Sequence, residues 1–156
     1  MPDFHEALMM GKKVEQMFLL RLKRKYNNPI IIKGSFKPFD IYVPDNHKRW
    51  EVKSDMKSND TGNYLIEVEH YGKPSALMTT EAEYWVLYDS CDWVVCYPDK
   101  IKDLILSNNY KLISTIGDGD DYAKKCYLIP KKDIKDIATQ IVPCEEHEIL
   151  NETTRA

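Results

Sequence analysis

The sequence lacks any uncharged apolar run near the roughly 20 residues that a bilayer-spanning helix needs, which excludes a membrane partner read from hydropathy. No secretory leader is expected from its start. The first residues, MPDFHEALMMGKK, place Asp3, His5 and Glu6 where a secretory signal would be basic and then apolar. Glycine is scarce, with 6 in 156 residues, and there is no Gly/Ser linker, low-complexity tract or internal repeat. The 4 cysteines stand at 91, 96, 126 and 144, and that spacing matches no common zinc module. Cys144 and His147 form one C-x-x-H pair, but no second pair completes four ligands. All of the cysteines are expected as reduced thiols, and the protein as soluble and cytoplasmic. Neither charge sign dominates: 22 Lys and Arg face 25 Asp and Glu, a net of −3.

What is present suits one ordinary domain. Hydrophobic residues make up 43% and aromatic residues 11%, which supports a real core and excludes a disordered chain. Charge is unevenly placed. Residues 1–50 hold 10 Lys/Arg and 5 Asp/Glu, a net of +5. Residues 145–156 hold Glu145, Glu146, Glu148 and Glu152 against Arg155, a net of −3. The chain therefore reads as a single domain over 1–143 with an acidic C-terminal tail over 144–156. A solvated surface accounts for both imbalances; phosphate contacts would account for the first.

Periodicity predicts a helix over 3–26, with Ala7, Met10, Val14, Met17 and Phe18 on one face. Strands are predicted at 30–33, 39–43, 49–54, 64–70, 84–88, 93–97, 110–115 and 125–129. A loop is expected over 55–62, a short helix over 75–83, a polar turn at the GDGDD segment, and helices over 98–108 and 131–141. That order indicates an α/β or α+β fold with a mixed central sheet flanked by helices.

The chemistry sits in the segment from Pro38 to Lys53. A two-residue turn at Asp45-Asn46 sets Asp40 opposite Glu51 and Tyr42 opposite Arg49. Alternation then puts Asp40, Tyr42, Arg49, Glu51 and Lys53 on one face, and Phe39, Ile41, Val43, Trp50 and Val52 on the apolar one. Two opposed carboxylates repel, and a divalent cation between Asp40 and Glu51 offsets that repulsion. The Val52 main-chain carbonyl is a further candidate ligand. Lys53 is then placed to orient or deprotonate an attacking water, or to offset charge in the transition state. The plain alternative is a hairpin with a solvated polar face. Glu15 borders the apolar stripe of the first helix and needs a partner there, such as the metal or its water, unless it reaches solvent. Glu67 and Glu69 share a strand face, either as support to the site or as an exposed edge. Lys12, Lys13, Lys73, Ser75, Thr79 and Thr80 are phosphate-contact residue types, and Thr79 or Thr80 at the start of a short helix would make an anion site.

Asp40 followed by Glu51-Val52-Lys53, after a helix bearing Gly11 and Glu15, resembles the PD-(D/E)XK phosphodiesterase superfamily of restriction endonucleases and Holliday-junction resolvases. The likeness covers about the first 90 residues and departs in one place, with Phe39 before Asp40 and the proline at Pro38. The resemblance implies a restriction-endonuclease-like core and a Mg²⁺-dependent DNA endonuclease, with Mn²⁺ able to substitute. Asp40 and Glu51 would bind the metal, Lys53 would assist the water, Glu15 would support from the helix, and the product would carry a 5′-phosphate. DNA is the expected partner, and a homodimer is an option for a cutter of two strands. The rivals are a non-catalytic nucleic-acid- or protein-binding module on the same fold, and an RNA-directed nuclease.

Overall fold

The computed structural model describes residues 4–34, 37–116 and 123–150. The first helix, α1, covers Phe4–Leu22. It is followed by β1 (Ile30–Ile31), β2 (Ile41–Val43), β3 (Lys48–Ser54), a short α2 (Ser58–Thr61), β4 (Asn63–His70) and β5 (Lys73–Pro74). A single 3-10 turn, Ala76–Met78, leads to β6 (Tyr84–Tyr88), β7 (Asp92–Cys96) and α3 (Pro98–Ser107). The chain closes with β8 (Lys111–Thr115), β9 (Lys124–Pro130), α4 (Lys131–Ile137), β10 (Gln140–Pro143) and a 3-10 turn at Glu146–Glu148. This is an α+β fold with a mixed sheet flanked by helices.

The strands form two sheets where the sequence suggested one. A six-stranded sheet runs β1-β2-β3-β6-β7-β10, and a four-stranded sheet runs β5-β4-β9-β8. In the larger sheet only β3 and β6 pair parallel. A parallel neighbour requires a crossover rather than a hairpin. Residues 55–83 supply it, carrying α2, β4 and β5 on the way.

The central strands are buried on both faces, so their sequences read as unbroken apolar runs. Val86 and Tyr88 of β6, with Trp93 and Val95 of β7, join Val14, Phe18, Leu19 and Leu22 of α1 in one core. Phe18 lies between Trp50 and Trp93, at 5.1 and 5.2 Å between ring centres. Burying such a ring stabilises the fold by about 2 kcal/mol. Trp85, Leu87, Val94 and Cys96 point the other way, into a second core shared with Tyr64 and Ile66 of β4, Ile101 of α3 and Ile134 of α4. The site-bearing strand β3 gives Trp50 and Val52 to the first core, and its other face carries Glu51 and Lys53.

Several sequence expectations change. The expected strand 30–33 shrinks to two paired residues, although the Ile32 amide still donates to the Asp40 carbonyl in the same register. The hairpin keeps the expected register, with Ile41 opposite Trp50 and Tyr42 opposite Arg49. Its turn takes four residues, 44–47, rather than two; His47 adopts φ 58°, and Lys48 donates its amide to Asn46 Oδ1. Phe39 leaves the apolar face assigned to it and packs against the second core. The first helix ends at Leu22, short of the expected 26. The last ends at Ile137, and Gln140–Pro143 becomes β10, paired with β7. The expected helix over 75–83 is only the 3-10 turn, and Thr79 closes it rather than opening it. α2 forms within the expected loop, stopped by Gly62 at φ 78°.

Residues 144–150 belong to the fold, in place of the loose acidic tail expected from composition. Cys144 donates its amide to the Cys91 carbonyl. Leu150 is buried in the first core. Glu148 is 1% exposed and takes a bidentate pair of bonds from Arg21 of α1, both 2.6 Å. Glu148 and Glu145 thus pair with Arg21 at the end of α1 and with Arg24 just beyond it. The GDGDD turn and residues 151–156 lie outside the described residues. Among those described, no helix is long and apolar enough to cross a membrane, and the cysteines are free thiols.

Candidate active site

The site forms where β2 and β3 part. Pairing between them stops at Ile41 and Trp50. The Asp40 amide then donates to the Trp50 carbonyl at 2.9 Å. Its buried carboxylate reaches past the end of the ladder and accepts the Val52 amide on Oδ2 at 2.7 Å. A residue in an extended strand points its amide and carbonyl to the same side. The Val52 carbonyl therefore faces the side of β3 where Asp40 lies.

Glu51 and Lys53 stand on the other pleat face from Trp50 and Val52, as alternation requires. Lys53 Nζ is 3.4 Å from Glu51 Oε2 and sits over the Trp85 ring at 5.6 Å from its centre. Burial, then the nearby Asp40, push the Glu51 carboxyl up to about 8, with Lys53 pulling the other way. Burial disfavours the charge on Lys53, but Glu51, Asp40 and Glu67 outweigh it and lift the ammonium above its ordinary range.

Glu15 reaches this centre from α1. Burial and the nearby Asp40 charge raise its carboxyl. Its partner is Lys37, which the sequence reading passed over. Lys37 Nζ lies 3.2 Å from Glu15 Oε1, 3.3 Å from Asp40 Oδ1 and 3.0 Å from the Ile32 carbonyl. The available signal was a lysine three positions ahead of Asp40 in K-P-F-D, together with the demand of Glu15 for a countercharge.

Two clefts flank the centre. One, about 420 Å³, lies between the sheets and is lined by Lys53, Lys57, Leu65, Glu67, Trp85 and Lys124 among others. The other, about 380 Å³, is lined by Lys12, Glu15, Gln16, Lys33, Gly34 and Lys37 among others. Lys12 thus shares a cleft with Glu15, and Lys13 is exposed beside it on α1. Lys73 is exposed on β5 in the second sheet. Ser75 is engaged, donating to Glu67 Oε2 at 2.8 Å. Glu67 also pairs with Lys124 at 3.6 Å, and Glu69 with Lys125 at 3.3 Å. Of these two acids, Glu67 lines the same cleft as Lys53, and Glu69 pairs on the sheet.

The anion site expected at Thr79 or Thr80 is absent because no helix starts there. Thr79 is exposed. Thr80 Oγ1 instead accepts the Trp85 indole N–H at 3.1 Å and the Ala82 amide at 3.2 Å. Arg49, expected on the polar face with Asp40 and Glu51, is held by Glu83 through Nε and Nη2.

Among the described residues, no group of three or more His, Cys, Asp or Glu side chains stands close enough to hold a metal ion. The oxygens at the centre are instead two carboxylates and one carbonyl. Their chemistry fits a hard divalent cation. The Glu51 carboxyl, raised to about 8 by burial and by Asp40 despite Lys53, is one that added positive charge would favour ionising. No protein-family model, curated protein or solved structure matches the chain.

Proposed function

We propose that the protein is a Mg²⁺-dependent phosphodiesterase that cuts DNA. The observation that carries this reading is the buried Asp40 seated on the Val52 amide beside Glu51, whose partner Lys53 lines a lysine-rich cleft. Glu15, whose carboxyl is raised, lines the other cleft, and perturbed carboxyls in clefts mark functional sites more often than structural ones. Asp40, Glu51 and the Val52 carbonyl would hold Mg²⁺, with Mn²⁺ as a substitute. The ion would supply charge for an in-line attack of water on the phosphodiester. Lys53 orients that water or offsets charge as the phosphate becomes more negative. Glu51, Asp40 and Glu67 lift its ammonium above the ordinary range despite burial, so it stays protonated, which favours the charge-offset role. Glu15 supports the pair from α1. Lys12, Lys33, Lys57 and Lys124 line the two clefts and suit a phosphate backbone on either side.

The strand arrangement supports the PD-(D/E)XK resemblance. An antiparallel β1-β2-β3 unit follows a helix, and β3 is flanked by a parallel strand. The connection from β3 to β6 departs from it, because a second sheet replaces the helix expected there.

A non-catalytic binding module is the second reading. It is favoured by the fact that both Asp40 oxygens already have protein partners. Incubating supercoiled plasmid with the protein in Mg²⁺ or EDTA separates the two. Nicked or linear product in Mg²⁺ alone supports the enzyme. Salt-sensitive binding without product supports the module.

A further inference from the structure

The three oxygens around Lys37 come from three separate segments: Glu15 on α1, Ile32 after β1, and Asp40 before β2. Carboxylates from distant parts of a chain do not gather at a buried point without a countercharge. Here the charge is an ammonium. Its position on Asp40 matters more than its presence. Asp40 Oδ2 is taken by the Val52 amide at 2.7 Å, so Oδ1 is the oxygen left for a metal, and Lys37 sits on Oδ1 at 3.3 Å.

We propose that Lys37 is a built-in counter-cation that competes with the divalent ion for Asp40. This rests on the reading of Asp40 and Glu51 as a metal site. Of its three contacts the one to Asp40 is the longest. Lys37 can give it up and keep Glu15 and the Ile32 carbonyl, with the cleft of about 380 Å³ beside it as room to turn. While no metal is bound, Lys37 balances Asp40 and keeps the carboxylates assembled. When metal enters, the ammonium withdraws toward Glu15. Lys37 therefore sets how much free metal is needed to load the site.

The test is Mn²⁺ binding to the full chain, by calorimetry or by the resonance of free Mn²⁺, with no substrate present. Lys37→Met removes the competitor, so the dissociation constant should fall about tenfold. Lys37→Arg keeps a cation there and should bind Mn²⁺ like the parent. A purely structural Lys37 would show no such split, since Met would only lower the melting temperature. Should Lys37→Met fold poorly, Lys37→Gln serves, and the Mn²⁺-induced rise in its melting temperature should exceed that of the parent. Mn²⁺ binding unchanged or weakened in Lys37→Met and Lys37→Gln overturns the proposal and leaves the metal site standing. If the parent binds no Mn²⁺ and Asp40→Asn changes nothing, the metal-site reading fails and this proposal fails with it.

Discussion

Replacing Glu51 by Gln should stabilise the metal-free protein, and the size of the effect follows from the carboxyl's environment. Glu51 ionises near 4.5 in the unfolded chain and near 8 in the fold, where burial and Asp40 oppose its charge. Between those values the folded state holds a proton that the unfolded state has released. Stability therefore falls as pH rises through that window and levels off above about 8. At neutral pH the accumulated cost is about 3 kcal/mol. The side chain is only 14% exposed, so solvent relieves little of it. Gln keeps the shape without the charge, but its fit is not perfect, so a net gain of about 1–3 kcal/mol is expected. In a chain of this size that is a rise of about 3–10 °C in melting temperature. The assay is thermal denaturation of parent and Glu51→Gln in EDTA across the acid-to-alkaline range. The gap should vanish below about pH 4.5, where Glu51 is neutral in both states, and widen toward neutrality. Added Mg²⁺ should then raise the parent more than the variant. A gap independent of pH, or a parent more stable than the variant at neutral pH, would refute the reasoning.

Lys53→Met should slow Mg²⁺-dependent cleavage by about 10²–10³-fold while DNA affinity in a gel-shift assay stays near the parent's, because its charge acts mainly in the transition state. Asp89 is fully buried and bonds the Cys91 and Asp92 amides, the Tyr64 hydroxyl and Lys131. Asp89→Asn should lower unfolding free energy by about 3–5 kcal/mol in urea, and a loss below about 1 kcal/mol would contradict the burial argument. These partners hold its carboxyl below the usual range despite burial, so its contribution is present at neutral pH and lost as pH falls toward strong acid. Deleting residues 144–156 should destabilise the protein rather than free a basic face, since it strips Arg21 of Glu148 and removes Leu150 from the core; a truncated chain that melts like the parent would show that segment to be dispensable.

The hairpin was legible because its signal is local. Apolar residues alternate on both strands, and their register alone puts Asp40 beside Glu51. The turn between them was misjudged at no cost to the site, because four residues close the same register that two would. Lys37 was not legible. It reaches the carboxylates from an irregular stretch whose course follows from how α1, β1 and β2 pack. The second sheet was missed for a related reason: β4 and β9 pair across 60 residues or so, and strand propensity names strands but not their partners. The C-terminal segment misled through composition. Four glutamates in a dozen residues look like a solvated tail until Arg21 and Arg24, more than a hundred positions earlier, turn out to face Glu148 and Glu145. Thr80 misled as well, since a hydroxyl placed to meet a phosphate is equally placed to hold an indole N–H.

The central claim is that Asp40 and Glu51 share a divalent cation, and an anomalous difference map from a crystal soaked in Mn²⁺ tests it most directly. A peak bonded to Asp40 Oδ1, a Glu51 oxygen and the Val52 carbonyl, with Lys37 withdrawn toward Glu15, is the expected result. A map with no peak at these residues, and Asp40 still holding Lys37 at millimolar Mn²⁺, would contradict it.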